Sequence, residues 1–255
     1  MMNLKDKKVL ITGAAGQLGR QYCQAFAQAG AVVIASDIDL EACQEIPGQL
    51  EGGIAKHYAL ACDVADPSSV EAAFAEITSR FGSLDVLINN AGIGVFEPWL
   101  ERKFEDFMKV FRVNAGGTFL CTKAASVLMR DSKTKGSIIN IGSIYGLGSS
   151  DPRIYGDTPR MNSECYTGSK AAVIAMTKYF AIHLAPYGIR VNCISPGGVF
   201  NRQGSYFVEQ YSNRTPMGRM ANEDELPATA VFLASDGASY ITGQNIAVDG
   251  GWTAW

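Results

Sequence analysis

Residues 8–19 read Lys8-Val9-Leu10-Ile11-Thr12-Gly13-Ala14-Ala15-Gly16-Gln17-Leu18-Gly19. A short apolar run at Lys8 to Ile11 stops at a glycine turn, and the turn opens a segment in which Leu18, Tyr22, Ala25, Phe26 and Ala29 repeat at helical spacing before Gly30. This is a strand, a turn and a helix over Gln17 to Ala29, followed by a second strand at Ala31 to Ser36. Glycines at such a turn let the chain reverse sharply and let a pyrophosphate approach backbone N–H groups where the helix dipole favours negative charge. Taken alone, the same pattern also serves as a plain strand-to-helix link.

Outward from this unit the alternation continues. Strands are expected near Tyr58 to Ala61, Asp85 to Asn89, Ser137 to Ile141, Arg190 to Ile194 and Asn245 to Val248. Helices are expected from Pro67 to about Arg80, Lys103 to Arg112, Gly116 to Met129, Glu164 to Leu184 and Glu223 to Ala234, with a loop-rich stretch up to Met220. Repeated βαβ units predict an α/β chain: a Rossmann-type doubly wound sheet of about seven parallel strands with helices on both faces. No linker, repeat or low-complexity tract divides residues 1–255, so one domain is expected.

Composition narrows the function classes. The 255 residues are 47% hydrophobic and 18% charged, and the net charge of -3 is spread without long runs of either sign. Neither nucleic acid nor an anionic membrane surface is an expected partner. The segment Met1 to Ile11 lacks the apolar core of a signal peptide, and no apolar run approaches the roughly 20 residues that span a bilayer. Cys23, Cys43, Cys62, Cys121, Cys165 and Cys193 are scattered without a C-x-x-C pair, which fits reduced thiols in a cytoplasm. His57 and His183 stand far apart, with no cysteine or carboxylate cluster at ligand spacing, so no metal site is expected.

Candidate chemistry sits at the strand ends. Asp37 follows the second strand, where a carboxylate binds adenosine ribose hydroxyls and repels a 2′-phosphate, favouring NAD over NADP; a solvated turn aspartate beside Asp39 is the plain alternative. In Tyr166-Thr167-Gly168-Ser169-Lys170 the phenol and ammonium share a helix face, and a cation there makes the tyrosine a usable acid or base. Asn89-Asn90-Ala91-Gly92 ends a strand, Asn114 begins a helix, Ser143 follows the fifth strand and Pro196-Gly197 follows the sixth. Ligands bind at this edge of an open parallel sheet.

With these residues in place the chain resembles the short, roughly 250-residue branch of the short-chain dehydrogenase/reductase family. The likeness runs from the glycine turn to Val248-Asp249-Gly250-Gly251. It implies that Ser143 holds the substrate oxygen, Tyr166 exchanges its proton, Lys170 holds the nicotinamide ribose, and Asn114 supports a proton-relay water. It also implies a cofactor lined by Gly13, Gly16, Gln17, Leu18, Gly19, Asp37, Asp63, Val64, Asn90, Ala91, Gly92, Pro196, Gly197 and Val199, together with Tyr166 and Lys170. The expected activity is NAD(H)-dependent interconversion of a secondary alcohol and a ketone, possible substrates including sugars and sugar phosphates. A homo-oligomer, tetramer or dimer, is implied through the helices near Gly116 to Met129 and Glu164 to Leu184.

Two features depart from that branch. Its usual T-G-x-x-x-G-x-G has become T-G-x-x-G-x-x-G, with Gln17 in the usual middle glycine place, a spacing more like the longer nucleotide-sugar branch. The stretch between Ser143 and Tyr166 is about ten residues longer than usual. It carries Asp151, Pro152, Arg153, Asp157, Thr158, Pro159 and Arg160, and is either a lid whose arginines meet an anionic substrate or a solvated insertion. The segment Phe200 to Met220, with Tyr206, Phe207 and Tyr211, is expected to form a mobile flap. Trp252 and Trp255 are expected to cap the pocket or meet a neighbouring subunit. A loose likeness to oxidoreductases of surface-sugar and flagellin modification rests partly on this ending. A catalytically silent NAD-binding regulator and a nucleotide-sugar epimerase or dehydratase are the two other readings.

Overall fold

The computed structural model describes residues 2–158 and 160–255; Met1, and Pro159 of the insertion, lie outside the described residues. Strands β1 (Lys8–Thr12), β2 (Val32–Asp37), β3 (Tyr58–Ala61), β4 (Val86–Asn89), β5 (Ser137–Ile141), β6 (Arg190–Pro196) and β7 (Asn245–Val248) make one sheet in the order β3-β2-β1-β4-β5-β6-β7. Every neighbouring pair is parallel, with Val9 opposite Val33 on one side and Val86 on the other.

The strands are apolar throughout because both faces are covered. Along β1, Val9 and Ile11 join Tyr22 and Phe26 of α1 (Gln17–Gln28) and Val231 on one face. Leu10 faces the other way, into a core with Ile34 and Leu87 of the neighbouring strands. The strand order reverses beside β1, so the crevice between the carboxyl ends of β1 and β4 is the ligand position of such a sheet.

After β2 come three short helices that periodicity had not signalled, α2 (Leu40–Gln44), α3 (Ile46–Gln49) and α4 (Gly53–Lys56); Asp39 caps the first by accepting from the Ala42 amide. Helix α5 (Pro67–Phe81) starts at an Asp66 cap and stops at Gly82, and packs Phe74 and Ile77 into the second core. Helices α6 (Phe104–Phe111) and α7 (Gly117–Asp131) are joined by a π-helical turn over Arg112–Gly116. Asn114 therefore lies inside a continuous helical run, where the sequence predicts a helix start.

Helix α8 (Glu164–Leu184) begins at Ser163, whose hydroxyl accepts from the Tyr166 amide. Where a loop is expected after β6, the structure has helix α9 (Ser205–Arg214). The expected helix over Glu223 to Ala234 is a single turn at 223–225 followed by α10 (Pro227–Ala234), because Pro227 has no N–H to continue the first turn.

A third apolar cluster lies beside the sheet edge. Ile144, Ile154, Tyr155, Tyr211 and Met220 form it, with Phe207 and Trp252 packed against them. It joins the insertion, the flap helix and the C-terminal turn into one wall. Trp252 stacks on Tyr211 at 4.3 Å between ring centroids, whereas Trp255 is exposed.

Candidate active site

The carboxyl ends of β1 and β4 are tied by one threonine. The Thr12 hydroxyl accepts from the Asn90 and Ala91 amides, both at 3.1 Å, and the Asn90 side-chain amide donates to the carbonyls of Thr12 and Gly13. Gly13 has φ +64°, and a Cβ there would lie 2.8 Å from the Ala91 Cα; one on Gly19 would lie 2.1 Å from the Gly13 carbonyl oxygen. Only glycine allows this approach, and it leaves a cradle of backbone in front of α1. Behind it, the Asn89 amide reaches Asn140 and Thr122, and Asn140 reaches Thr177, a buried polar chain of which periodicity gives no sign.

Asp37 stands at the end of β2 and accepts from the Ala15 amide at 2.9 Å and the Asp39 amide at 3.1 Å. Gln17 ties the cradle to the segment after β6. Its amide donates to the Phe200 carbonyl and to Glu223, both at 3.0 Å, and Gln21 donates to the same carboxylate at 2.8 Å. The residue in the usual glycine place thus links the turn to the base of the flap.

At the far side, Ser143 follows β5, and α8 brings Tyr166 and Lys170 to face it. Tyr166 and Ser143 line the same cavity. Lys170 donates to the Ile141 carbonyl at 2.7 Å and stands 5.7 Å from the Tyr166 ring centre. Burial raises the Tyr166 phenol above its ordinary value, and the Ser143 hydroxyl beside it pulls it partway back. Burial pushes the Lys170 ammonium down to about 8. Loss of water, not the lysine, sets the direction of the Tyr166 shift.

Asn114 is fully engaged. Its side chain accepts from the Ile93 amide at 2.8 Å and donates to the Ile93 carbonyl and to Ser169, whose own hydroxyl donates to the Tyr166 carbonyl. The π-helical turn aims it at these partners, so it braces α8 against the segment after β4.

A cavity of about 1540 Å³ opens along this edge. The cofactor-binding candidates from Gly13 to Val199 line it, as do Ser143, Tyr166 and Lys170, while Asn114 sits behind the wall. Tyr206, Phe207 and Tyr211 of the expected flap line it too, and Phe96, Tyr145 and Tyr155 add aromatic lining that motif reading missed. Of the two insertion arginines only Arg160 lines it; Arg153 is spent on Asp151. All six cysteines are buried and unbridged, and among the described residues no group of His, Cys, Asp or Glu is placed to hold a metal ion. Nor is any described helix long and apolar enough to cross a membrane.

Residues 13–253 match the family described as Enoyl-(Acyl carrier protein) reductase. The chain is 37% identical to the 3-oxoacyl-(acyl-carrier-protein) reductase FabG of Thermotoga maritima, covering 98% of this chain and 99% of that one. The chain belongs to the short-chain dehydrogenase/reductase family. A short-chain dehydrogenase of Leptospira borgpetersenii, solved with bound NAD+, is 39% identical with a TM-score of 0.87, covering 98% of this chain and 93% of that one. A gluconate 5-dehydrogenase of Burkholderia cenocepacia, in complex with NADP and tartrate, is 30% identical with a TM-score of 0.89, covering 100% of this chain and 98% of that one. This short-chain dehydrogenase/reductase is therefore an oxidoreductase with a nicotinamide-cofactor fold, and the cradle around Gly13 has the open backbone such a group needs.

Proposed function

We propose that the protein interconverts a secondary alcohol and a ketone with NAD(H) as the preferred cofactor, on a small substrate such as a sugar or its derivative. The observation that carries this reading is the meeting of Ser143, Tyr166 and Lys170 in one cavity with the glycine cradle. A nicotinamide cofactor, when bound, supplies or accepts the hydride. Gly13, Gly16, Gln17, Leu18 and Gly19 of the turn, with Asn90, Ala91 and Gly92, would hold its phosphates and ribose; Asp63 and Val64 would flank the adenine, and Pro196, Gly197 and Val199 the nicotinamide.

The side chains then divide the proton chemistry. Ser143 donates to the substrate oxygen and holds it against the phenol. Tyr166 gives its proton to that oxygen as negative charge develops there, or removes it in the reverse direction. Lys170 stabilises the resulting phenolate. Asn114 fixes α8 and so the distance between them. Since burial keeps the Tyr166 proton in place at neutral pH, reduction proceeds there and oxidation gains as pH rises.

Asp37 supports NAD, because its carboxylate occupies the place a 2′-phosphate would need. Exposed Phe119 on α7 and Tyr179 and Ile182 on α8 support a homo-oligomer through these helices. We read residues 1–255 as one cytoplasmic cofactor-binding unit with a small-molecule partner.

The test is absorbance of NADH in the purified protein offered NAD or NADP with polyols, sugars and sugar acids, and the reduced cofactors with the matching ketones. Turnover with NAD favoured, and an NAD preference about tenfold narrower in Asp37→Ala, is the expected result. NADH binding without turnover across the panel would contradict it and favour the silent regulator.

A further inference from the structure

The insertion between Ser143 and Tyr166 is pinned. Asp151 accepts from the Arg153 amide and guanidinium and pairs with Arg214 of α9. Ile154 and Tyr155 are buried in the third apolar cluster, and the Met161 amide donates to the Phe96 carbonyl at 3.1 Å. Held on both sides, the segment carries Arg160 and Asn162 in the wall of the cavity that contains Ser143 and Tyr166.

Both side chains lack partners. The Arg160 guanidinium lies 4.2 Å over the Phe96 ring, which takes its flat face and leaves the N–H edge open. Among the described residues no carboxylate pairs with Arg160, nor with Arg112 in the same wall, whereas Arg153 and Arg214 of the insertion clamp are both paired. The Asn162 side-chain Nδ2 is buried with no hydrogen-bond partner. A buried donor without an acceptor costs about 1–3 kcal/mol, so turning this amide from its buried position toward a ligand oxygen in the cavity recovers that cost.

We propose that Arg160 and Asn162 form an anchoring site for the carboxylate or phosphate of a polyhydroxylated substrate, whose reacting carbon lies at Ser143 and Tyr166. The proposal rests on the hydride-transfer reading above and narrows its substrate to an anion. A guanidinium fork and an amide N–H are donors only, which suits planar carboxylate or phosphate oxygens and rejects an ammonium. Tyr155 and Phe96 line the same cavity of about 1540 Å³ as the two ends.

The test uses matched pairs with NAD: four- to six-carbon aldonates against the corresponding alditols, and glycerol 3-phosphate against glycerol. The expected result is a higher kcat/KM for the acid or the phosphate ester, whichever of the two fits; the two arms tell them apart. Arg160→Gln lowers kcat/KM for the anion about 30-fold, far more than for its neutral partner. Arg160→Lys recovers only part of the loss, since it restores the charge without the fork. Arg153→Gln, on the exposed clamp, shifts neither member of a pair.

Tartrate binding to the NADH complex, followed by fluorescence, is read alongside. Neutral and anionic substrates used equally well, equal losses for both in Arg160→Gln, or tartrate binding that survives this variant would overturn the anion site. Silence on every pair with Arg160-dependent tartrate binding would instead leave the anion site standing and sink the hydride-transfer reading.

Discussion

One dry wall shifts Tyr166 and Lys170 in opposite directions: the phenol keeps its proton more tightly and the ammonium gives it up nearer neutrality, at about 8. At pH 7 the pair is thus Tyr–OH beside a cation, the form that can protonate a developing alkoxide. The sign for the reverse reaction follows. Oxidation needs the phenolate, a nearby cation favours phenolate, and removing that cation raises the pH at which it forms. Lys170→Met is expected to lower oxidation at pH 8 about 100-fold and to move the rising limb of its pH profile to higher pH. Stopped assays across pH 6–10 check this; an unmoved limb contradicts a role in supporting the phenolate.

Among the elements, the seven strands were legible from short apolar, β-branched runs, and all begin within one residue of their expected starts. The flap helix α9 was not, although Phe207, Val208 and Tyr211 give it an apolar side; the glycines and polar residues around it read as loop. The side-chain partners of Gln17 were equally hidden, because spacing shows only that a glycine is missing. Asp37, Tyr166 and Lys170 stand where motif spacing puts them, while the bracing role of Asn114 depends on a π-helical turn with no sequence signal.

The Gln17 and Gln21 contacts make Glu223 the element-scale hinge between the phosphate turn and the flap. Glu223→Ala is expected to raise KM for substrate about threefold to tenfold and to speed proteolysis between Phe200 and Met220, read by limited digestion with and without NADH. Digestion at the wild-type rate would show that the flap is held without Glu223.

For the molecule as a whole, the doubly wound sheet places its crevice where the strand order reverses, and every candidate except Asn114 reaches that crevice from a strand end or a following helix. Phe119 on α7, Tyr179 and Ile182 on α8, and Trp255 are exposed, and we propose that they meet a second copy of the chain. Light scattering is expected to give a dimer or tetramer, and Ile182→Glu to lower that mass; a monomer at micromolar concentration contradicts the interface.

We propose that Tyr166 carries the proton while the cradle holds the cofactor independently. Turnover and NADH affinity measured together in Tyr166→Phe separate the two. At least a 100-fold loss of kcat is expected, with NADH affinity within about threefold of the unaltered protein. Substantial turnover in this variant would contradict it.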